Sequence, residues 1–176
     1  MLELSLPIEF IRRSAIEVAH DLIGCFLCKR NSDASIGKYA ILETEAYLND
    51  QDLASHARFG RTKRNAPMFR DAGCWYVYLC YGVYFMLNLV VDRENYASAV
   101  LIRRLDKFKG PGRLTKALNI DGAYNGTLCS RSCGLWIEKP VHSQRIRIQA
   151  TPRIGVHYAG SIWAQRPFRF VGEWVV

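Results

Sequence analysis

The uncharged run Trp75–Val91, WYVYLCYGVYFMLNLVV, decides the fold of this chain. It holds six aromatic residues, and the pair Tyr81-Gly82 divides it near its middle. A run of 17 residues is at the short limit for a membrane-spanning helix. Because β-favouring residues flank the Tyr-Gly pair on both sides, we expect a buried β-hairpin instead, with strands near 75–80 and 83–91.

The segment Glu43-Thr44-Glu45-Ala46-Tyr47 closes a second predicted strand, over residues 36–47. Side chains alternate along a strand, so Glu43, Glu45 and Tyr47 share one face. A carboxylate beside an aromatic ring near a strand end suits a general base that activates water. The alternative is that both carboxylates are exposed surface charges, which is the commoner position for glutamate.

The rest of the chain alternates short helical and strand patterns. The helices are predicted over 14–23, where Ser14 opens a capping box, over 49–56 behind Asn49-Asp50, and over 110–118. The basic segment 58–66 is predicted to be a loop, and further strands are predicted near 25–30, 98–104, 145–149 and 166–170. These elements predict one α+β domain over residues 1–176 with a largely antiparallel sheet.

Positive charge is concentrated in the middle of the chain. The formal net charge is +8, and residues 1–55 carry 5 Lys/Arg against 9 Asp/Glu, whereas residues 56–116 carry 12 against 4. A basic stripe is the electrostatic pattern expected for a protein that binds a polyanion. A solvated basic face without a partner is the alternative.

The six cysteines are read as buried free thiols rather than as a metal site. Cys25 and Cys28 form a CxxC pair, but a strand through them points the two thiols to opposite faces. The four histidines are scattered without an HxxxH or HExxH spacing, so no metal is predicted. Free thiols and an N-terminus without a continuous apolar core predict a cytoplasmic protein.

Tyrosines at alternate positions suggest a slot for a planar ring. Tyr76 and Tyr78 share one strand face, and with Tyr47 they can line a pocket that stacks a nucleobase. An aromatic core is the commoner fate of such a stripe. Tyr81 at the hairpin tip suits an exposed wedge that fills the gap left by an extruded nucleotide, and the alternative is a ring folded back on the sheet. His56 is a candidate pocket donor, ligand or capping residue.

A glycine-rich loop, Gly110-Pro111-Gly112-Arg113, precedes the predicted helix that ends near Leu118. Free backbone amides, a helix N-terminus and the cations Arg113 and Lys116 suit a phosphate. The loop is not a nucleotide-binding P-loop, because the GxxxxGK[ST] pattern is absent.

Taken together, these segments resemble the alkyladenine (3-methyladenine) DNA glycosylase family, the single-domain type known from mammals and bacteria. ETEAY at 43–47 combined with YVYxxYGxYFxxN at 76–88 is highly specific to that family. The matching positions also include Arg64-Asn65, Met68-Phe69, Val100–Arg103, Gly110–Leu114, Arg153–Val156, Trp163-Ala164 and Arg166-Pro167. The resemblance implies a curved, mostly antiparallel β-sheet with flanking helices and a protruding β-hairpin that inserts into the DNA minor groove.

The resemblance assigns roles to individual residues around a base pocket. Glu45 resembles the general base, and Arg103 resembles the neighbour that helps to hold the water and the carboxylate. The residues that resemble the walls of the pocket are Tyr47, His56 and Tyr78. Asn88 resembles the gate that disfavours normal guanine by crowding its exocyclic amino group.

The resemblance also implies a DNA-facing side. Tyr81 resembles the intercalating wedge at the tip of the hairpin. The residues expected along the DNA backbone are Arg61, Arg64, Gly110, Gly112 and Arg113. The partner implied is double-stranded DNA that contains damaged purines, and a monomer suffices for excision at a single site.

The reaction implied is hydrolysis of an N-glycosidic bond by a Glu-activated water, without a cofactor or a metal. Alkylated or deaminated purines would be released, and an abasic site would remain. Two alternatives stay open at the level of the sequence. One is a catalytically silent nucleic-acid-binding protein, which the charge distribution alone supports. The other is a metal-dependent nuclease built on Glu43, Glu45, Asp50 and Asp52.

Overall fold

The computed structural model describes residues 5–141 and 145–175, and within those ranges the chain forms four α-helices and eight β-strands. The helices are α1 (Ile8–Ile11), α2 (Ala15–Asp21), α3 (Pro111–Ala117) and α4 (Gly160–Ala164). The strands are β1 (Phe26–Arg30), β2 (Ile36–Tyr47), β3 (Trp75–Cys80), β4 (Tyr84–Val91), β5 (Ser98–Leu105), β6 (Leu135–Glu138), β7 (Ile146–Thr151) and β8 (Arg169–Trp174). The predicted α+β class is confirmed.

Strand β2 is the centre of the sheet. The strand order is β3-β4-β5-β2-β1-β6, β8 pairs with the second half of β2, and β7 pairs with β8. Every one of these pairings is antiparallel. The second half of β2 therefore lies between β5 and β8, which can both present side chains to its residues.

A bulge bends β2 where the ETEAY segment begins. The register against β5 shifts between Ile41 and Glu43 and again between Glu43 and Thr44. A bulge increases the local twist of a strand and redirects its side chains. The curvature of the predicted sheet is thus produced directly beside Glu45, and it separates the half of β2 that pairs with β1 from the half that pairs with β8.

Helix α2 covers one face of this sheet. The side chain of Ser14 accepts a hydrogen bond from the Glu17 N–H, as the capping box predicts. The apolar face of the helix is fully buried, and the buried Thr44 hydroxyl donates to the Ala19 carbonyl over 2.7 Å. This bond joins β2 to the helix, so the core fixes the backbone beside Glu45.

The run Trp75–Val91 forms the predicted hairpin, from β3 and β4. Tyr81 and Gly82 both have positive φ, at 50° and 68°, and the Val83 N–H donates to the Cys80 carbonyl over 3.1 Å. Two central residues with positive φ are typical of a type I′ turn, which matches the twist of antiparallel strands. Tyr81 is 96% exposed, so the hairpin projects an aromatic ring into solvent.

The prediction of a helix over 49–56 is wrong. Residues 49–55 form turns, because the side chains of Asn49 and Asp52 accept hydrogen bonds from backbone N–H groups two residues further along. Asparagine and aspartate offer the backbone such turns as an alternative to a helix. A short 3-10 helix follows at His56–Phe59, and Ser55 caps it. It begins at the last residue of the predicted helix and extends into the segment 58–66, which was predicted to be a loop.

Two strand predictions need correction near the C-terminus. The last strand was expected over 166–170 but runs over Arg169–Trp174, because Pro167 has no N–H to give to a ladder. Strand β6 was not predicted. Its four residues are flanked by Cys133-Gly134 and Pro140, and a segment that short carries little periodic signal.

Gly112 gives a test of how the glycine-rich loop packs. A β-carbon at Gly112 would lie 2.6–2.8 Å from the base of the Tyr84 side chain, close to the backbone of β4. We expect Gly112→Ala to lower the free energy of unfolding by about 1–3 kcal/mol, because the ring and its strand must shift. Denaturant unfolding measures this change.

The matched control is Gly122→Ala. The nearest atom to a β-carbon there is in the Phe85 ring at 3.6 Å, an ordinary contact, so little change is expected. Equal effects of the two substitutions would contradict the packing described for Gly112.

Candidate active site

Glu45 is a fully buried carboxylate held by three donors from three parts of the chain. Its Oε1 accepts from the backbone N–H of Ile154 over 2.8 Å. Its Oε2 accepts from the Tyr47 hydroxyl over 2.8 Å and from the Arg103 guanidinium over 3.4 Å. The strand-face prediction for Glu45 and Tyr47 is confirmed, while the alternative that Glu45 is an exposed surface charge is wrong.

The pKa of Glu45 is raised above its ordinary value. Burial is the largest cause, because it penalises the charged carboxylate. Arg103, the Ile154 N–H and Tyr47 act in the opposite direction, since each favours the ionised form. A carboxylate with a raised pKa is a stronger proton acceptor once ionised, which suits a general base.

Arg103 joins the two glutamates of the ETEAY segment. Its Nε donates to Glu43 Oε1 over 3.0 Å, and the same oxygen accepts from Arg169 Nη1 over 3.0 Å. Arg103 comes from β5 and Arg169 from β8, the two neighbours of the second half of β2. Glu43 is therefore shared between two cations, and Arg103 is held in place beside Glu45.

A small cavity of about 50 Å³, lined largely by aromatic side chains, is joined to this carboxylate through Tyr47, which lines the cavity and donates to Glu45. Its lining is Tyr47, Ala54, His56, Met68, Tyr76, Tyr78, Asn88, Ala99 and Tyr158. A wider cleft of about 570 Å³ shares four of these residues and reaches Arg103, Ile154 and the hairpin tip. The predicted pocket residues thus lie together, at the inner end of a cleft that opens to solvent.

His56 lies in the wall of this pocket as a neutral ring. Burial and the cations Arg64 and Arg58 lower its pKa to about 4. Its Nδ1 is 2.9 Å from the Tyr76 hydroxyl, and its ring meets the Tyr78 ring edge-on with centroids 4.7 Å apart. His56 therefore presents an uncharged aromatic surface at neutral pH.

Tyr76 and Tyr78 share one face of β3, as predicted, with ring centroids 5.2 Å apart. Burial raises the pKa of Tyr76 to about 12, and it also raises the pKa of Tyr78. Both hydroxyls therefore stay protonated at neutral pH. Tyr76 is almost fully buried and supports His56, while Tyr78 reaches both the inner cavity and the outer cleft.

Asn88 lies at the inner end of the pocket, opposite Tyr76 in the β3–β4 ladder. Its side-chain amide donates to the Tyr76 carbonyl over 3.1 Å and is buried. The side-chain amide of Asn88 is thus held between the two strands of the hairpin, since it also donates to the Met86 carbonyl over 3.3 Å.

The residues predicted to face DNA occupy different environments. Arg64 and Tyr81 line the outer cleft, and Arg64 donates to the Leu79 carbonyl over 3.1 Å, which ties it to the hairpin. Arg61 and Arg113 are exposed but do not line the cleft. Gly110 has a φ of 104° at the start of α3, and its N–H donates to the Arg103 carbonyl, whereas Gly112 is buried against Tyr84.

Several residues of the site were not singled out from the sequence. Ile154 contributes a backbone amide, which any residue type can provide, so its identity gives no signal. Tyr158 was missed although it is a tyrosine in the RIGV-containing tail, because nothing in its spacing relates it to the pocket. Its hydroxyl donates to the Ala54 carbonyl over 2.9 Å, and its ring contacts the Arg58 guanidinium.

Three of the four carboxylates proposed for a metal-dependent nuclease bind arginines, and the fourth, Asp50, is exposed. Glu43 and Glu45 bind Arg103, and Asp52 binds Arg153 in a fully buried ion pair. Within residues 5–141 and 145–175, no group of three or more His, Cys, Asp and Glu is arranged to hold a metal ion. The nuclease alternative therefore lacks a ligand set in that part of the chain.

Membrane insertion of the run Trp75–Val91 receives no support from the fold, because the run forms two strands of the sheet. Across the described ranges, no helix is both long and apolar enough to cross a bilayer.

Comparison with known proteins identifies the family. The sequence model described as methylpurine-DNA glycosylase matches residues 9–108 and 104–173. A protein of Legionella pneumophila (strain Corby) is 42% identical over 174 residues, which cover 94% of this chain and 92% of its own. Relatives from Anaeromyxobacter sp. (strain Fw109-5) and Methanocella arvoryzae are 43% and 39% identical, each over 94% of this chain and over 87% and 90% of their own.

The names of these three relatives describe them as candidate 3-methyladenine DNA glycosylases. The chain belongs to the methylpurine-DNA glycosylase family. The family predicted from the sequence is therefore confirmed, and so is the class of enzyme, a DNA glycosylase.

The neutral state of His56 makes a prediction about stability and pH. An unfolded histidine binds a proton below about pH 6.5, whereas folded His56 stays neutral down to about pH 4. The unfolded chain therefore binds more protons in this window, and His56 lowers the stability of the fold as the pH falls from about 6.5 to about 4. We expect a shallower fall of the melting temperature across this window in His56→Gln.

The control for this measurement is His157→Gln, because His157 is exposed. Parallel melting curves against pH for the wild type and His56→Gln would contradict the buried neutral state of His56.

Proposed function

We propose that this protein flips alkylated or deaminated purines out of duplex DNA and hydrolyses their N-glycosidic bond, leaving an abasic site. The observation that carries this proposal is the buried Glu45 carboxylate, whose three donors Tyr47, Arg103 and Ile154 all line the aromatic cleft. A carboxylate fixed by three donors keeps its geometry through the reaction. The names of the relatives point to 3-methyladenine as one of the bases released.

The pocket suits a planar purine, including a cationic one. Tyr47, His56 and Tyr78 provide ring faces and edges, and a base alkylated at N3 or N7 carries a positive charge that such rings attract. Because His56 is neutral, it does not repel that charge. Asn88 at the inner end of the pocket would crowd the exocyclic amino group of normal guanine.

The chemistry follows from the position of Glu45. In its ionised form, Glu45 takes a proton from a water molecule as that water attacks C1′ of the sugar. The N-glycosidic bond breaks through an oxocarbenium-like transition state, and its electrons leave with the base. The negative carboxylate also stabilises the positive charge that develops on the sugar. Arg103 and the Ile154 N–H hold the carboxylate in place meanwhile.

We propose a monofunctional enzyme that acts by water rather than by an amine. A lysine nucleophile would form a Schiff base with the sugar and lead to strand cleavage. In the described residues, the cleft is lined by arginines but by no lysine.

The hairpin would supply the wedge that keeps the base extruded. Tyr81 is exposed at its tip and lines the outer cleft, so it can enter the stack when the damaged base enters the pocket. Damaged bases stack or pair less well, and their extrusion costs less. The residues proposed to contact the DNA backbone are Arg61, Arg64, Gly110 and Arg113. Gly112 was expected to do so too, but it is buried against Tyr84, so its proposed part is to let the loop pack. A monomer and a cytoplasmic location remain part of the proposal.

Replacing Glu45 tests the general base. We expect Glu45→Gln to lower the rate of excision by about 10²- to 10⁴-fold or more, because an amide cannot accept the proton of water. The measurement is single-turnover release of 3-methyladenine, 7-methylguanine, hypoxanthine or 1,N6-ethenoadenine from duplexes in EDTA. Binding to the same duplexes should persist.

The comparison variant is Glu43→Gln on the same strand face. It also removes a carboxylate from Arg103 but leaves Glu45, so its loss of rate should be much smaller. Full activity of Glu45→Gln would refute the assignment of the base. Activity that returns only with added Mg²⁺ would favour a nuclease instead.

Tyr81→Ala tests the wedge. Loss of about 1.4 kcal/mol of stacking would lower single-turnover excision of a paired lesion about tenfold. A lesion placed in an unpaired bulge should be affected less, because it needs little help to leave the stack. Tyr96→Ala removes another exposed tyrosine away from the hairpin and should leave both substrates unaffected. An equal loss on the two substrates would argue against a wedge.

A further inference from the structure

A second ion pair, between Asp52 and Arg153, lies next to the strand that carries Glu45. Arg153 Nη1 is 2.6 Å from Asp52 Oδ2, and Arg153 Nη2 is 2.9 Å from Asp52 Oδ1. Both side chains are fully buried. Arg153 follows β7, and Asp52 lies in the turns after β2, so the pair joins two segments that are distant in sequence and adjacent at the pocket.

The other contacts of Arg153 converge on the strand that carries Glu45. Its Nη1 also donates to the carbonyl of Ala46 over 2.9 Å. Its guanidinium lies 4.8 Å from the Tyr47 ring centroid and 5.3 Å from the Phe168 ring centroid. Arg153 thus touches the two residues that follow Glu45, one through its backbone and one through its ring.

Asp52 organises the opposite segment. Its Oδ2 accepts from the Leu48 N–H and its Oδ1 from the Ala54 N–H, each over 3.0 Å. The chain from β2 to His56 is therefore folded around this carboxylate. The bond from the Tyr158 hydroxyl to the Ala54 carbonyl joins the same two segments a second time.

Stability alone does not explain a fully buried ion pair. Removing two charges from water costs so much that well-packed apolar side chains are often as stabilising as the pair. What an apolar pair lacks is directional bonding. Arg153 directly precedes Ile154, whose N–H donates to Glu45 Oε1, so a shift of Arg153 moves the donor of the catalytic carboxylate.

We propose that Arg153 and Asp52 are positioning residues that hold the Ile154 N–H and the Tyr47 hydroxyl against Glu45. This inference rests on the proposed role of Glu45 as general base. Neither side chain is proposed to touch the substrate. Both act through the groups that they fix, and the charge of Arg153 also favours the ionised form of Glu45 directly, a charge that Arg153→Lys keeps.

The positioning role predicts a change in the pH dependence of excision. The groups that face Glu45 are Tyr47 and Glu43 on β2, Arg103 on β5, Arg169 on β8, and Ile154 with Arg153 after β7. A hydrogen bond to the ionised carboxylate favours that form. When the ion pair is removed and the Ile154 N–H drifts, the pKa of Glu45 should rise. The acidic limb of the rate–pH profile should then move to higher pH.

The decisive variant is the double substitution Asp52→Leu with Arg153→Met, because it removes both buried charges and leaves neither unpaired. Its single-turnover excision of hypoxanthine from a duplex is measured against pH. Its melting temperature and its binding to a duplex with a tetrahydrofuran abasic analogue are measured in parallel. We expect a folded protein that binds the analogue like the wild type, with a rate about 10- to 100-fold lower and the acidic limb shifted upward.

Two further variants separate positioning from a general loss of stability. Arg153→Lys keeps the charge but cannot form the two parallel bonds, and should show a partial loss of rate with the same direction of shift. Arg104→Met is the matched control, because Arg104 donates to the Leu42 and Gly172 carbonyls outside the cleft. It should lower the melting temperature and leave the acidic limb in place.

The inference is overturned if the double variant keeps the wild-type rate and pH profile. It is equally overturned if the double variant and Arg104→Met have the same melting temperature and show the same loss of rate. Failure of the proposed function looks different, because the wild type would then excise no base, or Glu45→Gln would excise as fast as the wild type.

Discussion

The constraint on which this structure depends is the burial of one carboxylate. An ionised glutamate without water must find donors in the protein, since desolvation otherwise keeps it protonated. Glu45 finds them in its own strand, in β5 and in the segment after β7. No single element could provide all three. The central position of β2, with β5 on one side and β8 on the other, is what makes a buried charge tolerable there.

Charge is distributed in layers around the site. The outer cleft is rimmed by Arg58 and Arg64, while the inner pocket presents neutral rings, because burial keeps His56 unprotonated and the tyrosines protonated. The cations that would attract a polyanion therefore lie where the DNA backbone would pass. The uncharged lining lies where a base, cationic or neutral, would stack. Under the proposed function, one electrostatic arrangement would serve both docking and base selection.

The sequence predicts those parts of the molecule that local patterns determine. The hairpin, the ETEAY strand and helix α2 follow from alternation, a Tyr-Gly turn and a capping box, and the family resemblance brings the pocket residues together. The prediction of a helix over 49–56 was wrong because Asn49 and Asp52 accept hydrogen bonds from nearby backbone N–H groups. Composition alone does not decide between such turns and a helix. The Ile154 amide and the Asp52–Arg153 pair depend on contacts between segments about a hundred positions apart, which no local pattern encodes.

The hairpin turn has a consequence for how DNA would be searched. Tyr81 adopts a left-handed backbone conformation that costs an L-residue about 1–2 kcal/mol. The free protein has therefore already met the cost of forming the backbone of the hairpin turn. A turn whose backbone is already formed loses little backbone entropy when it meets a base pair. If the protein contacts many undamaged base pairs in turn, the time that it spends at each base pair would depend on how strongly that base pair is stacked. Weakly stacked sites would then hold the protein longer before any base reached the pocket.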